Sequence, residues 1–137
     1  MGDFHFYKVQ RLQNRAARII LDNYDFSINS SQLVTELGWL NVRQRRDYFT
    51  SILVYKSLNG LLPAYMSDMF SFVRDFNERP TRSAFTNNLY IPKVNKTLFR
   101  QSLLVNGPVI WNSLPNAIQE ARTLNVFKFN LKKFILQ

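Results

Sequence analysis

The sequence predicts a mainly α-helical protein with a small β-hairpin, built as one domain of short and medium helices over residues 1–137. Three observations carry that prediction. Apolar residues recur at steps of three and four over much of the chain, the period of a helix with one apolar face. Candidate caps and glycines fall where those periodic stretches begin and end. Only two short runs, "LYIP" (89–92) and "LFRQSLLV" (98–105), have strand character. Pro92 and the short lengths point to an edge or a hairpin. At 137 residues a chain can bury roughly two-thirds of its unfolded surface, enough for a real core. An aromatic content of 15% and a hydrophobic content of 46% argue against disorder.

Residues 1–6 are expected to be flexible. The first helix is predicted over 7–22, "YKVQRLQNRAARIILD". Val9, Leu12, Ala16, Ile19 and Ile20 make one apolar face. Lys8, Arg11, Arg15 and Arg18 recur at the same steps and fill a neighbouring arc of about 80°. "NYDFSINSS" is a turn-rich loop. "SQLVTEL" is a short helix capped by Ser30 or Ser31 and stopped at Gly38. "NVRQRRDYFTSILVYKSLNG" is a longer helix. Asn41 can cap it, Gln44 stands at capping-box spacing, and Gly60 ends it. Its "ILVY" segment is apolar on nearly every side and is expected to be buried.

"LLPAYMSDMF" is predicted as a short helix with Pro63 in its first turn. Residues 71–88 are predicted to be irregular, with the hairpin strands beyond them. In "GPVIWNSLP" (107–115), Pro108 and Pro115 bracket a short helical or turn segment, and Trp111 is expected to be buried. "NAIQEA" is a short helix and "NVFKFNLKKFILQ" a terminal one. On the terminal helix Phe127, Leu131, Phe134 and Ile135 share a face. Phe129 and Leu136 lie opposite and suggest a second packed surface, either internal or against a partner.

There are 18 Lys+Arg against 9 Asp+Glu, a formal charge of +9, and the pI is near 10.2. Such a charge attracts polyanions, with nucleic acid first and an anionic membrane surface second. No run approaches the roughly 18 apolar residues of a membrane span. The N-terminus lacks the apolar core of a secretory signal, and Phe6 stands where a myristoylation signal wants Ser or Thr. The expected compartment is nuclear or cytoplasmic, with no membrane partner.

Catalytic groups are scarce. No cysteine and one histidine, His5, do not make a zinc site or a serine-hydrolase triad around Ser113. Asp22 and Asp25 are the closest carboxylates, with Asp75 and Glu78 next, and turn chemistry accounts best for the first pair. Four glycines at 2, 38, 60 and 107 form no phosphate cradle. No cofactor, metal or small-molecule substrate is expected.

The sharpest functional signal is the first helix. Lys8, Arg11, Arg15 and Arg18 have no Asp or Glu interleaved to neutralise them, and arginine suits bidentate phosphate contact. Arg43, Arg45 and Arg46 crowd a helix N-terminus, where positive charge opposes the macrodipole and hints at an anion. Lys93, Lys96 and Arg100 are further candidates in the hairpin region. Trp39, Trp111 and the phenylalanines could stack bases, but aromatics at these spacings more often build core.

Taken in order, "LQNRAARII" (12–20), "LGWLNVRQRRDY" (37–48), "YKSLNGLLPAYMSDMF" (55–70), "TRSAFTNNLYIPK" (81–93), "GPVIWNSLPNAI" (107–118) and "FKFNLKKFI" (127–135) resemble a known family. They are similar to the region that follows the reverse transcriptase domain in jockey-like LINE retrotransposon proteins. The resemblance implies a C-terminal fragment or a stand-alone remnant of an RNA-directed DNA polymerase. That family's catalytic aspartates sit upstream and match no position here. The implied role is to help hold RNA or target DNA. The alternatives are a module docking on a polymerase thumb and a relic without selected function.

Overall fold

The computed structural model describes residues 3–76 and 86–137. Its regular elements are helical, as expected: α1 (Asp3–Ile20), α2 (Ser30–Glu36), α3 (Val42–Leu58), α4 (Ala64–Ser67), α5 (Thr97–Arg100), α6 (Leu103–Asn112), α7 (Asn116–Gln119) and α8 (Leu124–Ile135). The chain groups into two compact units, Met1–Tyr48 with Lys132–Gln137, and Phe49–Leu131. Part of the 71–88 stretch and Glu78 lie outside the described residues. Within that stretch Val73–Asp75 forms a 3₁₀ turn.

In the first unit α1 begins at Asp3, four residues earlier than the periodicity suggested, and Phe6 is buried. The helix thus takes in residues 3–6, part of the stretch expected to be flexible. The buried face also differs from the expected one. Ala17 joins Leu33 and Val34 of α2 in the core, with Leu21, Ile28, Leu37 and Trp39 packed around them. Phe6, Gln10, Gln13, Ala17 and Leu21 follow one another at steps of three and four, so they share an arc of the helix. Val9, Leu12, Ile19 and Ile20 stay in solvent at 45%, 66%, 59% and 58% exposure.

Gln10 and Gln13 account for this choice of face. Gln10 Oε1 accepts from the Val42 N–H (2.9 Å), a donor in the first turn of α3 that has no partner inside its own helix. Gln13 Nε2 donates to the Leu40 carbonyl (2.7 Å). The expected capping box is present. Asn41 Oδ1 accepts from the Gln44 N–H (2.8 Å), and Gln44 Oε1 accepts from the Asn41 N–H (3.0 Å). Gln44 Nε2 also donates to the Ile135 carbonyl (3.1 Å). The cap of α2 is Asn29, whose side chain accepts from the Ser31 N–H, not Ser30 or Ser31. Gly38 and Gly60 adopt positive φ (66° each), the left-handed stop that glycine tolerates.

In the second unit an aromatic stack forms the centre. The Tyr55 and Phe127 rings lie 4.3 Å apart at 20°, and Trp111 stacks on Phe127 at 5.9 Å and 28°. Val54 and Leu131 are fully buried beside the same helices. Both aromatic polar tips are satisfied: Tyr55 Oη donates to the Ala121 carbonyl (2.8 Å) and Trp111 Nε1 to the Asn87 carbonyl (3.0 Å). Gln119 Nε2 donates to the Trp111 carbonyl (2.7 Å), one of the last acceptors of α6. Phe129 is 71% exposed, so the second packed surface expected on α8 is not filled internally among the described residues.

The small β-hairpin does not form among the described residues. "LFRQSLLV" is helical, divided between α5 and α6. Near "LYIP" a single antiparallel bridge joins Phe72 and Leu89. The reason is a side chain. Asn112 accepts from the Leu89 N–H (2.7 Å) and donates to the Leu89 carbonyl (3.0 Å). The Phe72 bridge uses the Asn88 carbonyl and the Tyr90 N–H, so the Leu89 groups that a strand on the other edge would need are already satisfied. Pro108 lies inside α6 instead of before it.

Candidate nucleic-acid interface

The polar face of α1 and the loop that follows it enclose an open groove of about 810 Å³. Lys8, Arg11, Arg15 and Arg18 line it from α1, together with Leu12 and Ile19, and Tyr24 and Phe26 line it from the loop. Among the described residues no acidic side chain lines it. Among the described residues Lys8, Arg11 and Arg15 make no ion pair with a carboxylate, so the stripe keeps its charge.

The four cations divide into two kinds. Lys8, Arg11 and Arg15 are exposed. Lys8 Nζ lies 4.3 Å from the Phe4 ring centroid and the Arg11 guanidinium 5.8 Å from that of Tyr7. Arg18 is half-buried and committed to the loop. Its Nη1 donates to the Asp25 carbonyl (2.8 Å) and its Nη2 to the Ile28 carbonyl (2.8 Å). Its guanidinium also sits 5.0 Å from the Phe26 ring centroid. On the helix Arg18 borders the arc that packs inward, which brings its head group within reach of the loop carbonyls.

Loop chemistry completes the wall. Asp22 takes φ 47°, a left-handed residue that lets the chain turn off α1, and the Asn23 N–H closes onto the Arg18 carbonyl (3.0 Å). Asn23 Oδ1 then accepts from the Asp25 N–H (3.0 Å), and Asp25 Oδ1 from the Ser27 N–H (2.9 Å). These are turns in which an Asn or Asp side chain replaces a backbone acceptor. The Ser27 hydroxyl and amide, and secondarily Arg18, hold the Asp25 carboxyl below its ordinary range. Asp22 and Asp25 are thus turn-formers.

Arg43, Arg45 and Arg46 are exposed on the first turns of α3 and do not line the groove. The Phe6 ring lies 5.8 Å from Arg43 and 5.3 Å from Arg46, and Arg46 pairs with Asp47 (2.7 Å). A ring face and a carboxylate therefore offset part of the charge that opposes the α3 dipole. Arg45 lines a separate apolar groove of about 490 Å³ with Val9, Leu12, Trp39 and Val42. Lys93, Lys96 and Arg100 are exposed in the second unit, with Lys96 and Arg100 flanking and ending α5.

Sequence reasoning found the cations but missed their aromatic partners. Phe4, Tyr7, Tyr24 and Phe26 are exposed by 64%, 64%, 58% and 83%. Phe4 and Tyr7 each precede a cation by four residues, which is contact spacing on a helix. That interleaving was the available signal. Trp111 is buried at 2% and Trp39 packs against the first unit's core, so neither tryptophan provides an open ring. His5 is exposed beside Phe4. Among the described residues no cluster of three potential metal ligands occurs, and no helix is long and apolar enough to cross a membrane. No protein-family model, curated protein or solved structure matches this chain.

Proposed function

We propose that this chain is a non-catalytic accessory module of a LINE-type RNA-directed DNA polymerase, holding RNA or target DNA by its phosphate backbone through α1. The observation that carries the reading is the groove of about 810 Å³ lined by Lys8, Arg11 and Arg15, with no acidic residue in its wall among the described residues. Cations without a carboxylate partner gain most from a polyanion, because their binding releases condensed counterions. The family part of the reading rests on the sequence resemblance alone.

The test is a filter-binding titration of RNA and duplex DNA at several salt concentrations, with Lys8→Ala/Arg11→Ala/Arg15→Ala beside the parent. Each neutralised phosphate contributes about 0.7–0.9 to the log–log salt slope, so the triple variant should lose roughly 2–3 units of slope. No binding at low salt, or equal binding by the triple variant, refutes the proposal.

A second reading has its own observation. Val9, Leu12, Ile19 and Ile20 form an exposed apolar stripe beside the basic one, which suits docking on a polymerase thumb. Nuclease-insensitive co-purification with a matching polymerase domain, lost in Val9→Asp/Ile20→Asp, whose positions lie outside the basic groove, would favour it over nucleic-acid binding.

A further inference from the structure

Phosphate binding needs the cations of the groove but not its rings. Phe26 and Tyr24 are exposed by 83% and 58%, an unfavourable state for apolar surface in water. Yet the loop that displays them is tied down at several points. Arg18 holds the Asp25 and Ile28 carbonyls, Asn23 and Asp25 close two side-chain turns, and Asp22 sits in the left-handed region. The guanidinium of Arg18 lies against the Phe26 ring, while most of that ring's surface remains in solvent. The loop therefore fixes open aromatic faces in the groove that three exposed cations also line.

We propose that this groove takes a single-stranded nucleic acid, its backbone along Lys8, Arg11 and Arg15 and a base stacked on Phe26 or Tyr24. The inference rests on the nucleic-acid reading above and narrows it. In a duplex the base faces are already stacked on one another, and an exposed ring has nothing to meet. In a single strand every base offers a π face, and a basic track beside aromatic platforms is the general solution for binding it without sequence preference. Lys8 to Arg15 spans about 10 Å at 1.5 Å per residue, which suits contact with a few phosphates. Arg18 acts as a positioning residue, holding the loop and its ring in place.

The experiment is a fluorescence-anisotropy titration of the full chain with three labelled probes of one length: a single strand, its duplex, and a single strand carrying abasic sites. The proteins are the parent, Tyr24→Ala/Phe26→Ala, Arg18→Lys, and the Lys8/Arg11/Arg15 triple alanine variant. Losing a stacked base should weaken single-strand binding roughly 5-fold to 150-fold per base, with the salt slope unchanged. The aromatic variant should show that loss on the intact strand and not on the duplex. The parent should show it on the abasic strand, a comparison that involves no mutation and so no question of folding. Arg18→Lys keeps the charge but not the planar two-carbonyl clamp, and should lose single-strand affinity while sparing the duplex.

Equal binding of abasic and intact strands overturns the inference, as does an aromatic variant that weakens duplex and single strand alike. If the triple variant loses binding while the rings and bases make no difference, only the single-strand inference falls. If the triple variant binds like the parent, the nucleic-acid reading beneath it falls too. Co-flotation with phosphatidylserine vesicles, without oligonucleotide binding, overturns both.

Discussion

Trp111→Ala is expected to cost about 3–5 kcal/mol, the range for truncating a buried large aromatic. Several features place it in the upper half. Trp111 is 2% exposed, its ring stacks on Phe127 at 5.9 Å, and its Nε1 donates to the Asn87 carbonyl. An aromatic pair adds about 0.5–1.5 kcal/mol beyond area burial. The freed Asn87 carbonyl adds less, because Asn87 is only half-buried and water can reach it. Trp111→Phe keeps a stacked ring but removes the N–H, and is expected to cost about 1–2 kcal/mol from the lost hydrogen bond and a small void. Urea unfolding followed by far-UV circular dichroism reads both variants against the parent. With a slope of about 1–3 kcal/mol/M, a loss of about 4 kcal/mol moves the midpoint by one to several molar. A cost below about 1 kcal/mol for Trp111→Ala at an unchanged slope would refute the claim that this ring centres the core.

Two further variants probe local devices. Asn41→Ala removes one half of the α3 capping box and should cost about 1 kcal/mol by the same unfolding assay; no change would mean that the Gln10 contact to the Val42 N–H suffices to start the helix. Gly107→Ala should destabilise by up to about 2 kcal/mol. An added Cβ would meet Val54 Cγ2 at 3.1 Å and the Phe70 ring at 3.2–3.3 Å, and overpacking of that kind costs about 1–3 kcal/mol. It outweighs the helix gain of about 0.5–1 kcal/mol, and a stabilised variant would show that Phe70 moves aside freely.

Helix ends were the most legible part of the fold, because their signals are local. Asn41 with Gln44, and the two positive-φ glycines, act where the sequence placed them. The cap of α2 lay one residue earlier, at Asn29, because several adjacent residues can cap and only backbone geometry selects among them. The buried half of α3 was readable from "ILVY", since a segment apolar on every side has no polar face to present. The hairpin was not readable. Leu89 bridges Phe72, but whether a second strand can pair on its other edge depends on Asn112, 23 residues away, and nothing within "LYIP" encodes that competitor. The "LFRQSLLV" run has the apolar residues of a strand but equally those of a short helix, and runs of this length do not separate the two by periodicity.

The candidate site was half legible, and the reason lies in how α1 is packed. Periodicity reveals that Val9, Leu12, Ile19 and Ile20 share a face and that Lys8, Arg11 and Arg15 share another. It does not reveal which face turns inward. Burial favours apolar residues, but here the inward arc holds Gln10 and Gln13, whose amides satisfy backbone groups before and at the start of α3. A buried backbone group left unpaired costs about 1–3 kcal/mol, comparable to the gain from burying one aliphatic side chain. The two terms are therefore close in size, and the need for hydrogen-bond partners decides the rotation of the helix. That rotation leaves the apolar stripe outside and keeps the basic stripe beside the 22–29 loop. It also turns Arg18 from a fourth surface charge into the clamp that holds Phe26 in the groove lined by the remaining three.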